Sequence, residues 1–139
     1  MHSDVQASYA HISGEMNGEM RNKLHYEIHG LTSPDAPTIV FSSGLGGAAK
    51  FWQPQLGDFA QDYRVITYDH YGTNKSVGDL PANYSISNMA DELAALLRKL
   101  EVQACHFVGH ALGGLVGLEL ALSKPKLLQS LVLVNAWSS

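Results

Sequence analysis

The sequence predicts an α/β protein with a mainly parallel β-sheet and flanking helices. Short apolar, β-branched segments such as Thr38–Phe41 and Arg64–Tyr68 are typical of buried strands. Between these strands lie longer stretches, of which Ile86–Leu100 repeats its apolar residues at the spacing of an amphipathic helix. Strands that alternate with helices favour a parallel sheet, because each parallel connection has to cross a face of the sheet.

The other elements follow in chain order from the same criteria. Residues 1–22 show no sustained period and are predicted to form a disordered or added leader, with one domain over residues 23–139. Ser85 is a suitable N-cap for the second helix, and Lys124 with Pro125 should end the third. The predicted strands are Leu24–His29, Thr38–Phe41, Arg64–Tyr68, Cys105–Val108 and Leu131–Val134, and the predicted helices are Phe51–Ala60, Ile86–Leu100 and Leu112–Leu122.

Composition restricts the classes of function. The 139 residues are 45% hydrophobic and 16% charged, which is typical of a globular protein. A net charge of −4 without a basic patch predicts no nucleic-acid partner. No apolar run approaches the ~20 residues that cross a bilayer, so no membrane partner is expected. The single cysteine, Cys105, excludes an intramolecular disulfide and, without a visible secretory signal, favours the cytoplasm.

The most informative segment is Gly109–Gly113, where an apolar strand passes through Gly-His-Ala-Leu-Gly directly into a helix. This setting is typical of the nucleophile elbow, Gly-x-Ser-x-Gly, whose central residue is held in a strained turn. The N–H of Leu112, at the start of the helix, would be available to a developing oxyanion. Ala111 occupies the central position, and its methyl group cannot form an acyl-enzyme. The alternative interpretation is an ordinary strand–turn–helix with packing glycines.

A second glycine-rich loop, Ser43–Gly47, follows the strand Thr38–Phe41 and contains Gly44 and Gly46. No Gly-Lys-Ser/Thr follows these glycines, so a phosphate-binding loop is not predicted, and the sequence indicates no cofactor. Two such loops in this order favour the elbow over packing glycines alone.

The motifs resemble those of the α/β-hydrolase superfamily over about residues 23–137. Within it, the elbow segment and the Val-Asn-Ala-Trp that follows the last strand resemble the RutD type, the aminoacrylate or carbamate hydrolases of bacterial pyrimidine utilisation. The resemblance implies an α/β-hydrolase fold that stops after about the sixth strand, with the acid and the histidine base in a second half. It also implies that Leu45 supplies a second oxyanion N–H. The segments that carry the resemblance are Ser43–Gly47, Phe51–Leu56, Tyr68–Thr73, Val108–Gly117 and Val134–Trp137.

The implied function is hydrolysis of a small C–N substrate, carbamate or aminoacrylate, in pyrimidine (uracil) catabolism. A bound water would attack in place of a serine, and the 139-residue chain alone is expected to be inactive. Two alternatives stay open: a serine esterase or enol-lactonase relative with its nucleophile replaced by alanine, and a non-catalytic protein that binds a small molecule. The open sheet edge at Leu131–Val134 predicts self-association.

The remaining candidate residues favour structural interpretations. His110 precedes the elbow residue and is predicted to be a hydrogen-bonded structural residue. Asp69 and His70 are adjacent on a loop and are not expected to point at each other as a dyad. The histidines show no ligand spacing with Cys105, so no metal site is predicted, and Cys105 itself is expected to pack in the core.

Overall fold

The computed structural model describes residues 5–11, 23–44, 52–70 and 84–134, and within them six strands form one sheet in the order β1-β2-β4-β3-β5-β6. The strands are β1 (Val5–His11), β2 (Lys23–Gly30), β3 (Thr38–Ser42), β4 (Arg64–Tyr68), β5 (Cys105–His110) and β6 (Leu128–Val134). The helices are α1 (Gln53–Ala60), α2 (Ile86–Lys99) and α3 (Leu112–Ser123), and a short 3₁₀ turn covers Pro125–Leu127.

The predicted mainly parallel sheet is confirmed. Strand β3 pairs in parallel with β4 and β5, and β6 pairs in parallel with β5. Strands β1 and β2 run antiparallel at the other side of the sheet. Because parallel strands share a direction, the carboxyl ends of β3, β4 and β5 meet at one edge, which brings Ser42, Tyr68 and His110 to the same side of the molecule.

Strand β1 differs from the expectation of a disordered leader. It pairs antiparallel with β2, from Val5 opposite His29 to His11 opposite Lys23. Without β1, the outer edge of β2 would present a row of open N–H and C=O groups, and the pairing satisfies them. Val5, Ala7 and Tyr9 alternate with the polar Gln6 and Ser8, which is the local pattern of a strand, but the alternation is too short to form a sustained period across residues 1–22. Residues 1–4 and 12–22 of the predicted leader lie outside the described residues.

The core has two layers because successive strand residues point to opposite faces of the sheet. On one face, Val40 and Phe107 pack with the apolar side of α2 and with α3. On the other face, Ile39 and Phe41 pack with Trp52 and the apolar side of α1. The strands that carry the elbow and the loop after β3 are therefore held between two apolar layers.

The predicted limits of the two longer helices are close to those observed. The Ser85 hydroxyl accepts a hydrogen bond from the Asn88 N–H at 3.3 Å, and the Asn88 side chain accepts from the Ser85 N–H at 2.9 Å, so Ser85 is the N-cap of α2. Helix α3 ends at Ser123, immediately before Lys124 and Pro125. Each helix in the described ranges falls short of the length and apolarity needed to span a membrane.

Candidate active site

Ala111 lies in the turn between β5 and α3 and has a backbone conformation that L-residues rarely adopt. Its φ is 52° and its ψ is −116°. Its N–H donates to the Val134 carbonyl at 3.1 Å, and its carbonyl accepts from the Gly114 N–H at 2.9 Å. Such strained residues persist only where the surroundings impose them, and they concentrate at functional sites. The strained turn that the motif predicts is present.

The glycines on either side of Ala111 allow the backbone to approach other backbone at very short range. A Cβ on Gly113 would lie 2.1 Å from the Ser42 carbonyl oxygen, and one on Gly109 would lie 2.5 Å from the Gly113 carbonyl oxygen. Contacts this short exclude any side chain at either position. The two glycines are therefore packing glycines that also flank the strained turn, so the two interpretations of the motif describe one structure.

Gly44 brings the loop after β3 against the elbow. A Cβ on Gly44 would lie 3.2 Å from the Cβ of Ala111 and 3.3 Å from Nδ1 of His110. Leu112 is the first residue of α3, so its N–H belongs to the turn whose donors lack acceptors within the helix. The two loops singled out in the sequence thus meet at the carboxyl edge of the sheet. Leu45 and Gly46 lie outside the described residues.

Two side chains from the end of β4 hold the loop after β3. The hydroxyls of Tyr68 and Ser42 are hydrogen-bonded at 2.6 Å. Nε2 of His70 is 2.6 Å from the Ser43 carbonyl oxygen and donates to it. Sequence reasoning missed both contacts, because nothing local indicates that β4 lies beside β3.

Burial favours the uncharged form of both of these ring groups. It lowers the pKa of the His70 imidazole, although the hydrogen bond to Ser43 and the charge of Asp69 act in the opposite direction. Burial also raises the pKa of the Tyr68 phenol above its ordinary value. The site therefore contains a neutral donor imidazole and a neutral phenol.

The side chain of Asp69 lies near β2. Its Oδ2 is 3.6 Å from Nδ1 of His25 on that strand, and both side chains are buried. The antiparallel pairing that sets Tyr26 opposite Tyr68 brings these two groups together. A carboxylate and a histidine thus lie together between β2 and the end of β4, where the sequence indicated no pair.

An aromatic wall lies beside the elbow. The rings of Trp52 and His110 meet edge to face with centroids 6.5 Å apart, and Trp52 also contacts Phe41 at 4.8 Å. Phe51 lies outside the described residues. Trp52 is buried.

Cys105 is buried in the core, as predicted. Burial raises the pKa of its thiol to about 12, so the reactive thiolate is not formed at neutral pH. Across residues 5–11, 23–44, 52–70 and 84–134, no three His, Cys, Asp or Glu side chains cluster in a way that could hold a metal ion.

The amino-acid sequence has close relatives among curated proteins. It is 66% identical over 116 residues to the "Putative carbamate hydrolase RutD" of Stutzerimonas stutzeri, covering 84% of this chain and 44% of the relative. It is 54% identical over 114 residues to the protein of the same name from Serratia proteamaculans, covering 82% of this chain and 43% of that relative. The chain therefore spans less than half the length of these relatives.

Solved structures of hydrolases have a similar fold over their matched part. A hydrolase from Pseudomonas aeruginosa PA01 superposes with a TM-score of 0.80 at 30% identity, over 96% of this chain and 48% of that one. The enol-lactonase from Burkholderia xenovorans LB400 superposes with a TM-score of 0.78 at 30% identity, over 89% of this chain and 45% of that one. Residues 37–139 match the family model described as the alpha/beta hydrolase fold, and the chain belongs to that family.

Proposed function

We propose that this protein is a hydrolase of a small C–N substrate, carbamate or aminoacrylate, in pyrimidine (uracil) catabolism. The observation that carries the proposal is the strained turn at Ala111, against which the loop after β3 lies at Gly44. This conformation is unfavourable for an alanine, which supports a functional role for the turn. The names of the relatives support the substrate class. In this proposal the protein acts in the cytoplasm on a small molecule and uses no cofactor.

Because the side chain of Ala111 is a methyl group and cannot attack the substrate, water is the proposed attacking group. With carbamate, water would add to the carbonyl carbon, the C–N bond would break, and the leaving nitrogen would take a proton, which gives ammonia and bicarbonate. With aminoacrylate, the terminal carbon of the enamine would first take a proton. Water would then add to the iminium carbon and lose a proton, and ammonia would leave as that carbon becomes a ketone. The N–H groups of Leu112 and Leu45 are the proposed donors to the developing oxyanion. One such donor is worth roughly 3 kcal/mol, or about 10²-fold in rate. We expect the acid and base to come from sequence beyond the matched region, so residues 1–139 alone should be inactive.

The test uses an extended protein, defined as this chain followed by the part of the Stutzerimonas stutzeri relative beyond the match. We expect it to release ammonia from carbamate or aminoacrylate faster than buffer does. The Gly113→Ala variant should abolish this release, because the new Cβ would collide with the Ser42 carbonyl. The control is Gly57→Ala, where a Cβ meets nothing within 4 Å. Ammonia release at the buffer rate by the extended protein would refute the proposal.

A second candidate function is that of a serine esterase or enol-lactonase relative whose nucleophile has become alanine. The similarity to the solved enol-lactonase favours it. In that case Ala111→Ser in the extended protein should restore ester hydrolysis and labelling by a serine-directed fluorophosphonate. The matched control is Ala104→Ser, which adds a hydroxyl just before β5, at the opposite edge of the sheet. Substrate binding without turnover in either form would indicate a binding protein instead.

A further inference from the structure

The last residue of β3 and the first residue of the loop after it are each held by a side chain from the end of β4. Tyr68 bonds the Ser42 side chain, and His70 bonds the Ser43 main chain, both at 2.6 Å. All four residues are buried. Hydrogen bonds in such surroundings are strong, and leaving one unmade is unfavourable, so the loop has one preferred position.

The held residues are the ones that contact the elbow. Ser42 lies against Gly113, at the start of α3, so closely that no Cβ fits between them. Gly44, directly after Ser43, lies against Ala111. A displacement of Ser43 would therefore move Gly44 relative to the elbow.

The two rings of the β4 end also hold each other. Their planes meet edge to face, with the centroids of Tyr68 and His70 5.2 Å apart. A main-chain carbonyl can only accept a hydrogen bond, so His70 must present a protonated Nε2 to Ser43. The hydrogen bond to Ser43 thus fixes the tautomer of a neutral His70, with the proton on Nε2.

We propose that Tyr68 and His70 are positioning residues that set the distance between the loop after β3 and the elbow at Ala111. The catalytic meaning of this inference rests on the proposed hydrolase function, whereas the geometry can be tested without it. A hydrogen bond that merely added stability would leave the position of Gly44 unchanged once the chain is folded.

The first experiment measures the position of Gly44 in the 139-residue chain. The readout is the NMR nuclear Overhauser effect between the Ala111 methyl group and the Gly44 α-protons. We expect His70→Phe to lose this effect, because phenylalanine keeps the ring and removes the donor. We expect His70→Gln, which keeps a donor, to restore it. The control is His29→Phe, which alters a buried histidine near the far end of β2.

Tyr68→Phe provides a second variant if His70→Phe does not fold, since it removes one hydroxyl and leaves the core filled. It should weaken the same effect. An unchanged effect in the folded variants, or its absence from the parent chain, would overturn the proposal.

The second experiment measures kinetics in the extended protein. We expect His70→Phe to lower kcat by about 10²-fold with little change in KM, because misplacement by about 1 Å has that consequence. His70→Gln should recover most of the loss, and His29→Phe should show none. An active extended protein in which His70→Phe keeps its full kcat would refute the positioning role. An inactive extended protein would refute the proposed hydrolase, while the NMR measurement would still decide the position of the loop.

Discussion

Strands β4 and β6 each pair in parallel with one neighbour, yet they differ strongly in burial. All five residues of β4 are buried, including Arg64, which is only 2% exposed. Strand β6 ends in four consecutive apolar residues, and one of these, Val132, is 50% exposed. Strand β4 lies between β2 and β3, whereas β6 ends the sheet among the described residues. Position in the sheet therefore decides burial here, even against the polarity of the side chain.

The same contrast separates the candidate site from the edge. The elbow and the loop after β3 are built on β3, β4 and β5, where both faces of the sheet are covered. On the face that carries α1, the side chains of Val132 and Val134 in β6 are exposed. The central strands should therefore tolerate very few changes, and the edge should tolerate or even gain from polar ones.

The largest effect is expected at the centre of the sheet. Gly113→Ala places a Cβ 2.1 Å from the Ser42 carbonyl oxygen, and neither backbone can move without shifting its strand or helix. We expect a loss of roughly 3 kcal/mol or more in the free energy of unfolding, measured with urea. The control, Gly57→Ala in α1, should instead stabilise the chain by up to about 1 kcal/mol. Equal effects of the two changes would contradict the close contact between α3 and β3.

The edge of β6 is expected to cause self-association. Its outer side has no neighbouring strand in the part of the chain that the structure describes, and Val132 and Val134 add exposed apolar surface. We expect Val132→Lys to reduce association, because a charge on an edge strand opposes pairing with a second chain. Sedimentation velocity over a range of concentrations measures this, with Gln55→Lys at an exposed position of α1 as the control. A parent chain that stays monomeric at every concentration would refute the expectation.

The elbow should be more stable with a glycine. Ala111 has a positive φ that glycine adopts freely, so Ala111→Gly should raise the free energy of unfolding by about 1 kcal/mol. The matched change Ala95→Gly, within α2, should lower it by about 1 kcal/mol. Opposite signs for two identical substitutions would show that the strain resides at Ala111. A destabilised Ala111→Gly variant would show that the turn is not strained.

The smallest effect is expected for two adjacent serines. Ser42→Ala removes the hydrogen bond to Tyr68 and should cost about 1 kcal/mol in the free energy of unfolding. The hydroxyl of Ser43 is buried without a hydrogen-bond partner among the described residues, so Ser43→Ala should be neutral or slightly stabilising. Thermal unfolding of both variants measures the difference, and a larger loss for Ser43→Ala would reverse the assignment.

The sequence by itself determined the main elements and the elbow. The spacing of apolar residues in α2, the capping side chain of Ser85 and the glycines around Ala111 are local features, and local features can be read along the chain. The mainly parallel sheet followed from the alternation of strands and helices. The family followed from the loop motifs, whose backbone requirements are equally local.

Tertiary structure alone decided the pairing of β1 with β2 and the contacts of His25 with Asp69 and of His70 with Ser43. Each depends on which distant segment becomes a neighbour. His70 and Ser43 are 27 residues apart and meet only because β4 lies beside β3. Residue periodicity reports which face a side chain takes, but it does not report what lies opposite that face.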